Sequence, residues 1–224
     1  MKAMILAAGR GERMQPLTLT TPKPLLAVAG KPLIEHCIEQ LVAADFKSLV
    51  INLSHLGHQI KDYCGNGERW GAQICYSNEG EVPLETAGGI AFALPLLGSE
   101  PFLVINADII CNYPLEQLHQ QSVDLAHLVM IDNPPHHPEG DFGLEASGLL
   151  THAGSTKLTF SGIGVYDPRL FADIKAEPLK MRPVLNQAIN AQRVSGERFD
   201  GLWMDIGTPE RLLEIDAMLK AAGN

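Results

Sequence analysis

Apolar residues in this chain fall alternately into short unbroken runs and into helically spaced sets. Met4 to Ala7, Ser48 to Leu53, Ala72 to Ser77 and Phe102 to Asn106 are compact apolar or β-rich runs, which predicts strands, the last of them buried on both faces. Between them Leu33, Ile34, Cys37, Ile38, Leu41 and Val42 recur at helical spacing, with Pro32 suited to a first turn. Leu56 to Tyr63 predicts a short helix, and Thr86 to Leu97 another in spite of Gly88 and Gly89. This alternation predicts an α/β fold, a doubly wound, mostly parallel, Rossmann-like sheet with ligands at the carboxyl ends of its strands.

The second half reads differently. Asp124 to Ile131, Phe142 to Glu145 and Lys157 to Val165 predict further strands, interrupted by a proline- and histidine-rich loop from Asn133 to Pro138. They are expected to form a small β-rich portion of the same sheet. Residues 1–224 then make one domain, with halves of about 1–110 and about 111–224. Thr208 is placed to cap a last helix that begins with Pro209 and runs to about Ala222.

With 224 residues, 46% of them hydrophobic, the chain can bury one large core. A net charge of −9 argues against nucleic acid or an anionic membrane as partner. The first apolar run ends at Gly9, too short for a secretory core or a membrane span, so a cytoplasmic protein is expected. Cys37, Cys64, Cys75 and Cys111 are scattered and read as buried free thiols in a reducing compartment. His55, His58, His136 and His137 read as surface residues rather than zinc ligands.

Against this acidic background, the cations after the first strand stand out. Leu6-Ala7-Ala8-Gly9-Arg10-Gly11-Glu12-Arg13-Met14 leads, through a Thr-rich turn, to Pro22-Lys23-Pro24. Glycines let backbone N–H groups approach a phosphate closely, and Arg13 and Lys23 add full charge for the same oxygens. The prolines stiffen the backbone on both sides of Lys23. A Gly-x-Gly after a strand is also a common tight turn, and it is the added cations that favour a nucleoside triphosphate. The dinucleotide fingerprint fails at Met14, where a third glycine belongs, and no Gly-Lys-Ser/Thr of a P-loop follows Gly9. Asp108 and Asp205 each follow an expected strand end. Singly they read as turn or cap residues; together they suit a magnesium ion.

Leu6 to Arg13, then Pro16, Thr18 and Pro22-Lys23-Pro24, resemble the signature of the sugar-1-phosphate nucleotidyltransferases. That resemblance implies that Leu6, Ala8, Gly9, Gly11 and Glu12 wrap the triphosphate. It implies that Arg13 neutralises the leaving pyrophosphate, that Lys23 contacts phosphate near the reacting centre, and that Asp108 and Asp205 hold Mg²⁺. Leu84 to Gly89 resembles the segment that lines the nucleobase, through Thr86, Ala87 and Gly88, although a glycine-containing helix start would look the same. Glu79 is placed to accept from a base N–H. On the sugar-phosphate side the resemblance points to Asn106, Asp141, Gly143 and Ser161; Asp141 also reads as the end of the histidine loop. The Glu-Lys-Pro stretch that many relatives carry before this last strand is absent.

Further runs, among them Asp132-Asn133-Pro134 with His136-His137 and Leu158 to Ile163, resemble the uridylyltransferase branch that serves peptidoglycan recycling. This implies UTP and N-acetylmuramate 1-phosphate as substrates. The short stretch after Asp205 leaves no room for an appended β-helix domain, and a monomer is expected. A guanylyl- or thymidylyltransferase for mannose, heptose or glucose 1-phosphate is the near alternative, and a non-catalytic nucleotide-sugar-binding regulator the alternative of another class.

Overall fold

The computed structural model describes residues 1–154 and 156–222. Its centre is a sheet of seven strands: β1 (Ala3–Leu6), β2 (Ser48–Leu53), β3 (Gln73–Asn78), β4 (Phe102–Asn106), β5 (Ala126–Ile131), β6 (Thr159–Tyr166) and β7 (Val194–Phe199). In space they run β7-β5-β6-β4-β1-β2-β3. Only β6 is antiparallel to its neighbours; the other pairings are parallel. Of the strands expected in the second half, Ala126–Ile131 and Thr159–Tyr166 therefore join the sheet of the first half, whereas Gly143–Leu144 pairs instead with Leu150–Thr151 in a separate two-stranded sheet.

Among the described residues four helices cover this sheet, α1 (Leu33–Ala43), α2 (Gly57–Cys64), α3 (Glu85–Leu97) and α4 (Met181–Asn190), and a fifth, α5 (Pro209–Ala222), packs beside it. Alternate residues of each central strand enter different cores, as the two-residue side-chain period requires. Ala3, Ile5, Leu49, Ile51, Leu103 and Ile105 pack on one face with Ile34, Ile38 and Leu41 of α1. Met4, Val50 and Val104 pack on the other with Ile90 and Ala93 of α3 and Leu185 and Ile189 of α4. A sheet buried on both sides explains why these strands read as unbroken apolar runs.

Register decides where chemistry sits. Leu6 pairs with Asn106, and Ile5 lies level with both Ile51 and Ile105. The carboxyl ends of β1, β2 and β4 thus form one edge, topped by the glycine loop, Asn52 and Asn106. Beside this edge Trp203–Asp205 pairs antiparallel with Ile109–Cys111, and Asp205 stands opposite Ile109. A third small core, with Met14, Val28, Leu33, Ile110, Ile206 and Ile215, ties the loop to α5.

Three expectations need correction. Pro32 precedes α1 in an extended conformation instead of opening its first turn. Cys37 and Cys64 are buried, but Cys75 faces solvent and Cys111 is half-buried. Helix α4 and edge strand β7 were not foreseen.

Candidate active site

The strand ends and the glycine loop enclose a cleft of about 780 Å³. Its loop wall is built from within. Gly11 has φ +63°, in the left-handed region, and its carbonyl accepts from both Met14 N–H and Thr18 Oγ1 at 2.8 Å. Met14 is fully buried in the third core, which pins the loop from beneath. Leu6, Ala8, Gly9, Gly11, Glu12 and Arg13 all border the cleft.

The charges of this wall are unevenly engaged. Lys23, with a side chain only 12% exposed, forms a short ion pair with Asp108 at the cleft. Arg13 is exposed and, among the described residues, has no ion pair or side-chain hydrogen bond. Arg10 also borders the cleft, and its Nη2 donates to Glu81 O at 3.5 Å. A negatively charged ligand entering here meets these two guanidiniums, neither ion-paired among the described residues, and one ammonium already resting on a carboxylate.

The opposite wall carries Glu79, Glu85 and Thr86. Asn52, 4% exposed near the end of β2, accepts from Ala7 N–H at 2.7 Å and donates to Glu79 Oε1 at 2.7 Å. The other Glu79 oxygen accepts from Leu84 N–H at 2.7 Å. Burial raises the Glu79 pKa above the ordinary glutamate value, and these two hydrogen bonds offset part of that shift. Ala87 and Gly88, expected at the base, do not border the cleft. Their N–H groups donate to Leu179 O at 2.9 and 3.2 Å, and Ala87 is wholly buried. A strap at 177–179 covers that turn of α3, and Thr86 alone of the three faces the opening.

Asp205 stands just behind the cleft, and it is Gly207 that borders the opening. Arg211 makes a short ion pair with Asp205, and His136 Nε2 lies 3.1 Å from the same oxygen. The backbone brings the two aspartates together: Ile206 N–H donates to Asp108 O at 2.8 Å. This donor set suits magnesium. Among the described residues there is no cluster of three or more His, Cys, Asp or Glu able to hold a metal. Two carboxylates on adjoining strand ends leave the remaining positions to phosphate oxygens and water, as Mg²⁺ prefers.

On the sugar-phosphate side, Asn106 borders the cleft, but Asp141, Gly143 and Ser161 do not. Asp141 accepts from Phe160 N–H at 2.9 Å and is paired with Arg182 and with His137. Gly143 is strand-paired with Thr151. Ser161 is buried; its hydroxyl accepts from Ile163 N–H at 3.2 Å and its carbonyl from Trp203 Nε1 at 2.9 Å. These residues brace the wall behind the opening.

Asn52, Arg211 and the strap at 177–179 were missed from sequence. Asn52 had a usable signal, because it is a polar residue one place before the carboxyl end of a largely apolar strand run; Asn106 stands at the end of its own. Arg211, a cation in the first turn of a helix, runs against the helix dipole and so was legible as a residue with a partner.

The family model of the nucleotidyl transferases matches residues 2–222. The chain belongs to that family. Among curated relatives it is 50% identical to N-acetylmuramate alpha-1-phosphate uridylyltransferase of Neisseria meningitidis serogroup B, over 99% of both chains. It is 33% identical to the protein of the same name from Caulobacter vibrioides, over 98% of this chain and 97% of that one. Among solved structures, HddC from Yersinia pseudotuberculosis complexed with GMP-PN superposes with a TM-score of 0.80 at 20% identity, over 97% of this chain and 99% of that chain. At that identity the likeness speaks for the fold. The fold of this nucleotidyltransferase, a mostly parallel sheet flanked by helices, is thus the family's fold.

Proposed function

We propose that this nucleotidyltransferase is a uridylyltransferase that joins UTP and N-acetylmuramate α-1-phosphate to give UDP-N-acetylmuramate and pyrophosphate, in peptidoglycan recycling. The observation that carries the choice of substrates is the half-identity, over nearly the whole of both chains, to the Neisseria protein. The cleft supports the chemistry independently: a glycine-rich loop, the cations Arg10, Arg13 and Lys23 and the half-buried Asp108 carboxylate converge there without a nucleophile–base pair.

The reaction on this reading is a direct displacement. A phosphate oxygen of the sugar 1-phosphate attacks the α-phosphorus of UTP; the bond to the β-phosphate breaks, and pyrophosphate leaves with the electron pair. The attacking oxygen is already ionised, so no general base is needed. Catalysis comes from positioning and from charge compensation in the cleft. Loop amides from Gly9 to Arg13 hold the triphosphate, Arg13 takes up charge on the departing end, and Lys23 moves from Asp108 to the α-phosphate. Asp108 and Asp205 would hold Mg²⁺, which supplies charge neutralisation on the phosphate oxygens when bound. Thr86 and Glu79 face the base, and Asn106 faces the acceptor phosphate.

Arg13, Lys23 and Asp108 meet at one cleft, with Asp205 directly behind it, which favours an enzyme over a non-catalytic regulator. The described residues include no helix long and apolar enough to cross a membrane; we read the protein as a cytoplasmic monomer. Pyrophosphate release tests the assignment: UTP, GTP and dTTP, each with N-acetylmuramate, N-acetylglucosamine or glucose 1-phosphate, in Mg²⁺. Release confined to UTP with the muramate compound is expected. Release with UTP and another sugar phosphate would displace the acceptor alone, release with GTP or dTTP transfers the activity to the guanylyl- or thymidylyltransferase alternative, and silence with nucleotide still bound favours the regulator.

A further inference from the structure

We infer that Arg211 is a second phosphate-binding cation of this cleft, which acts with Arg13 across Gly207 on the pyrophosphate end of the nucleotide. Its ion pair with Asp205 is the position it holds when that end is absent. The inference rests on the reading of the cleft as a nucleoside triphosphate site.

The geometry centres on Gly207. A Cβ built there would lie 2.5 Å from Arg211 Nη2 and 3.2 Å from Arg13 Nη2. Gly207 borders the cleft, so the two guanidiniums reach one small space that opens on it. Any side chain at position 207 would fill that space. Two like charges aimed at a common point repel, and the repulsion grows where water is partly excluded. Arg211 is 16% exposed, whereas Arg13 has no anionic partner among the described residues. An anion between them would relieve this arrangement, and a pyrophosphate group offers enough oxygens for both forks.

The position of Arg211 adds a second argument. It lies in the first turn of α5, behind Thr208, whose Oγ1 accepts from Arg211 N–H at 3.4 Å. The positive end of the helix dipole disfavours a cation there. Asp205 compensates it at present, with His136 against both partners. Lys23 rests on Asp108 in the same way. Both metal-binding candidates are thus covered by cations of the chain itself. When triphosphate enters, each cation has a new anionic partner, and each carboxylate is uncovered in the same event.

The test is equilibrium binding to the whole chain in metal-free buffer, with inorganic pyrophosphate, UTP, GTP and UMP as probes. Arg211→Ala is expected to weaken pyrophosphate and UTP by about tenfold or more, because charge-assisted contacts are lost, with UMP changed less than about twofold. Arg211→Lys should fall between. Asp205→Asn breaks the ion pair but keeps the cation, and should bind pyrophosphate at least as tightly as the wild type. Wild-type affinity for pyrophosphate in Arg211→Ala, equal losses for UTP and UMP, or a loss in Asp205→Asn that matches Arg211→Ala would overturn the inference; so would a wild type that binds no pyrophosphate. A wild type that prefers GTP to UTP displaces the base assignment alone, and the pyrophosphate arm still decides the role of Arg211.

Discussion

Asn52 holds Glu79 and the first loop strand in a single hydrogen-bonded unit. Its Nδ2 donates to Glu79 Oε1 and its Oδ1 accepts from Ala7 N–H, both at 2.7 Å. Asn52→Leu keeps the volume and strands a buried N–H. We expect it to lower unfolding free energy by about 1–3 kcal/mol, the cost of an unsatisfied buried donor. Urea denaturation measures this, and a loss below about 0.5 kcal/mol would mean that water replaces the amide.

Gly89 packs against this unit from α3: a methyl group there would run into Glu79 Oε1 and lie 3.3 Å from Asn52 Nδ2. In an ordinary helix interior, Gly→Ala stabilises by about 0.5–1 kcal/mol. Here the sign should reverse, with Gly89→Ala less stable and weaker in UTP binding. A higher melting temperature with unchanged UTP affinity would show that the Glu79 side chain swings away without consequence.

On the proposed mechanism, Arg13→Ala and Asp108→Ala remove charges that the chemistry needs; among the described residues Arg13 has no ion pair to lose, whereas Asp108→Ala also leaves Lys23 without its partner. Loss of one such electrostatic group typically lowers turnover about 10²–10³-fold. Both variants should keep the wild-type circular dichroism spectrum. A purified Asp108→Ala protein with near-normal turnover would refute its role.

His127 links stability to pH. It is 5% exposed on β5; Nδ1 lies 2.8 Å from Ser195 Oγ, and Nε2 has no partner among the described residues. Burial lowers its pKa below the ordinary histidine value, with Glu197 opposing the shift in part. As pH falls through about 6.5, the unfolded chain takes up the proton before the folded one does, so stability drops. This term is fully expressed above the unfolded pKa and is lost progressively towards the lower, folded one. Unfolding free energies of wild type and His127→Gln, measured from pH 7.5 to 5, should converge as pH falls. Parallel curves would remove His127 from the account.

Most of the sheet was legible because double-sided burial writes strands as apolar runs; β2 and β4 occur where the runs lie. β7 was illegible for the same reason in reverse. Val-Ser-Gly-Glu-Arg-Phe is an edge strand without an apolar run: Arg198 faces water, while Ser195 and Glu197 find partners in His127 and Tyr113, which only its pairing with β5 and the tertiary fold supply. α4 does carry a helical period in Met181, Leu185, Ala188 and Ile189, hidden by Pro183 in its first turn. At the cleft, the loop residues and Asp108 were legible because glycine, cation and strand-end carboxylate each have a distinct chemical reason to be there. Of the partners that hold the aspartates, Arg182 lies 41 residues along the chain from Asp141, and only the tertiary fold brings the two together. Arg211 is just six residues from Asp205, but a strand-to-helix turn has to fold them back on one another.

The reverse reaction tests the central claim most directly. Labelled pyrophosphate, Mg²⁺ and UDP-N-acetylmuramate, mixed with the protein, should yield labelled UTP and N-acetylmuramate 1-phosphate, and UDP-N-acetylglucosamine should yield far less. Labelled UTP formed from UDP-N-acetylglucosamine at an equal or greater rate, or no labelled UTP from the muramate compound, would contradict the assignment.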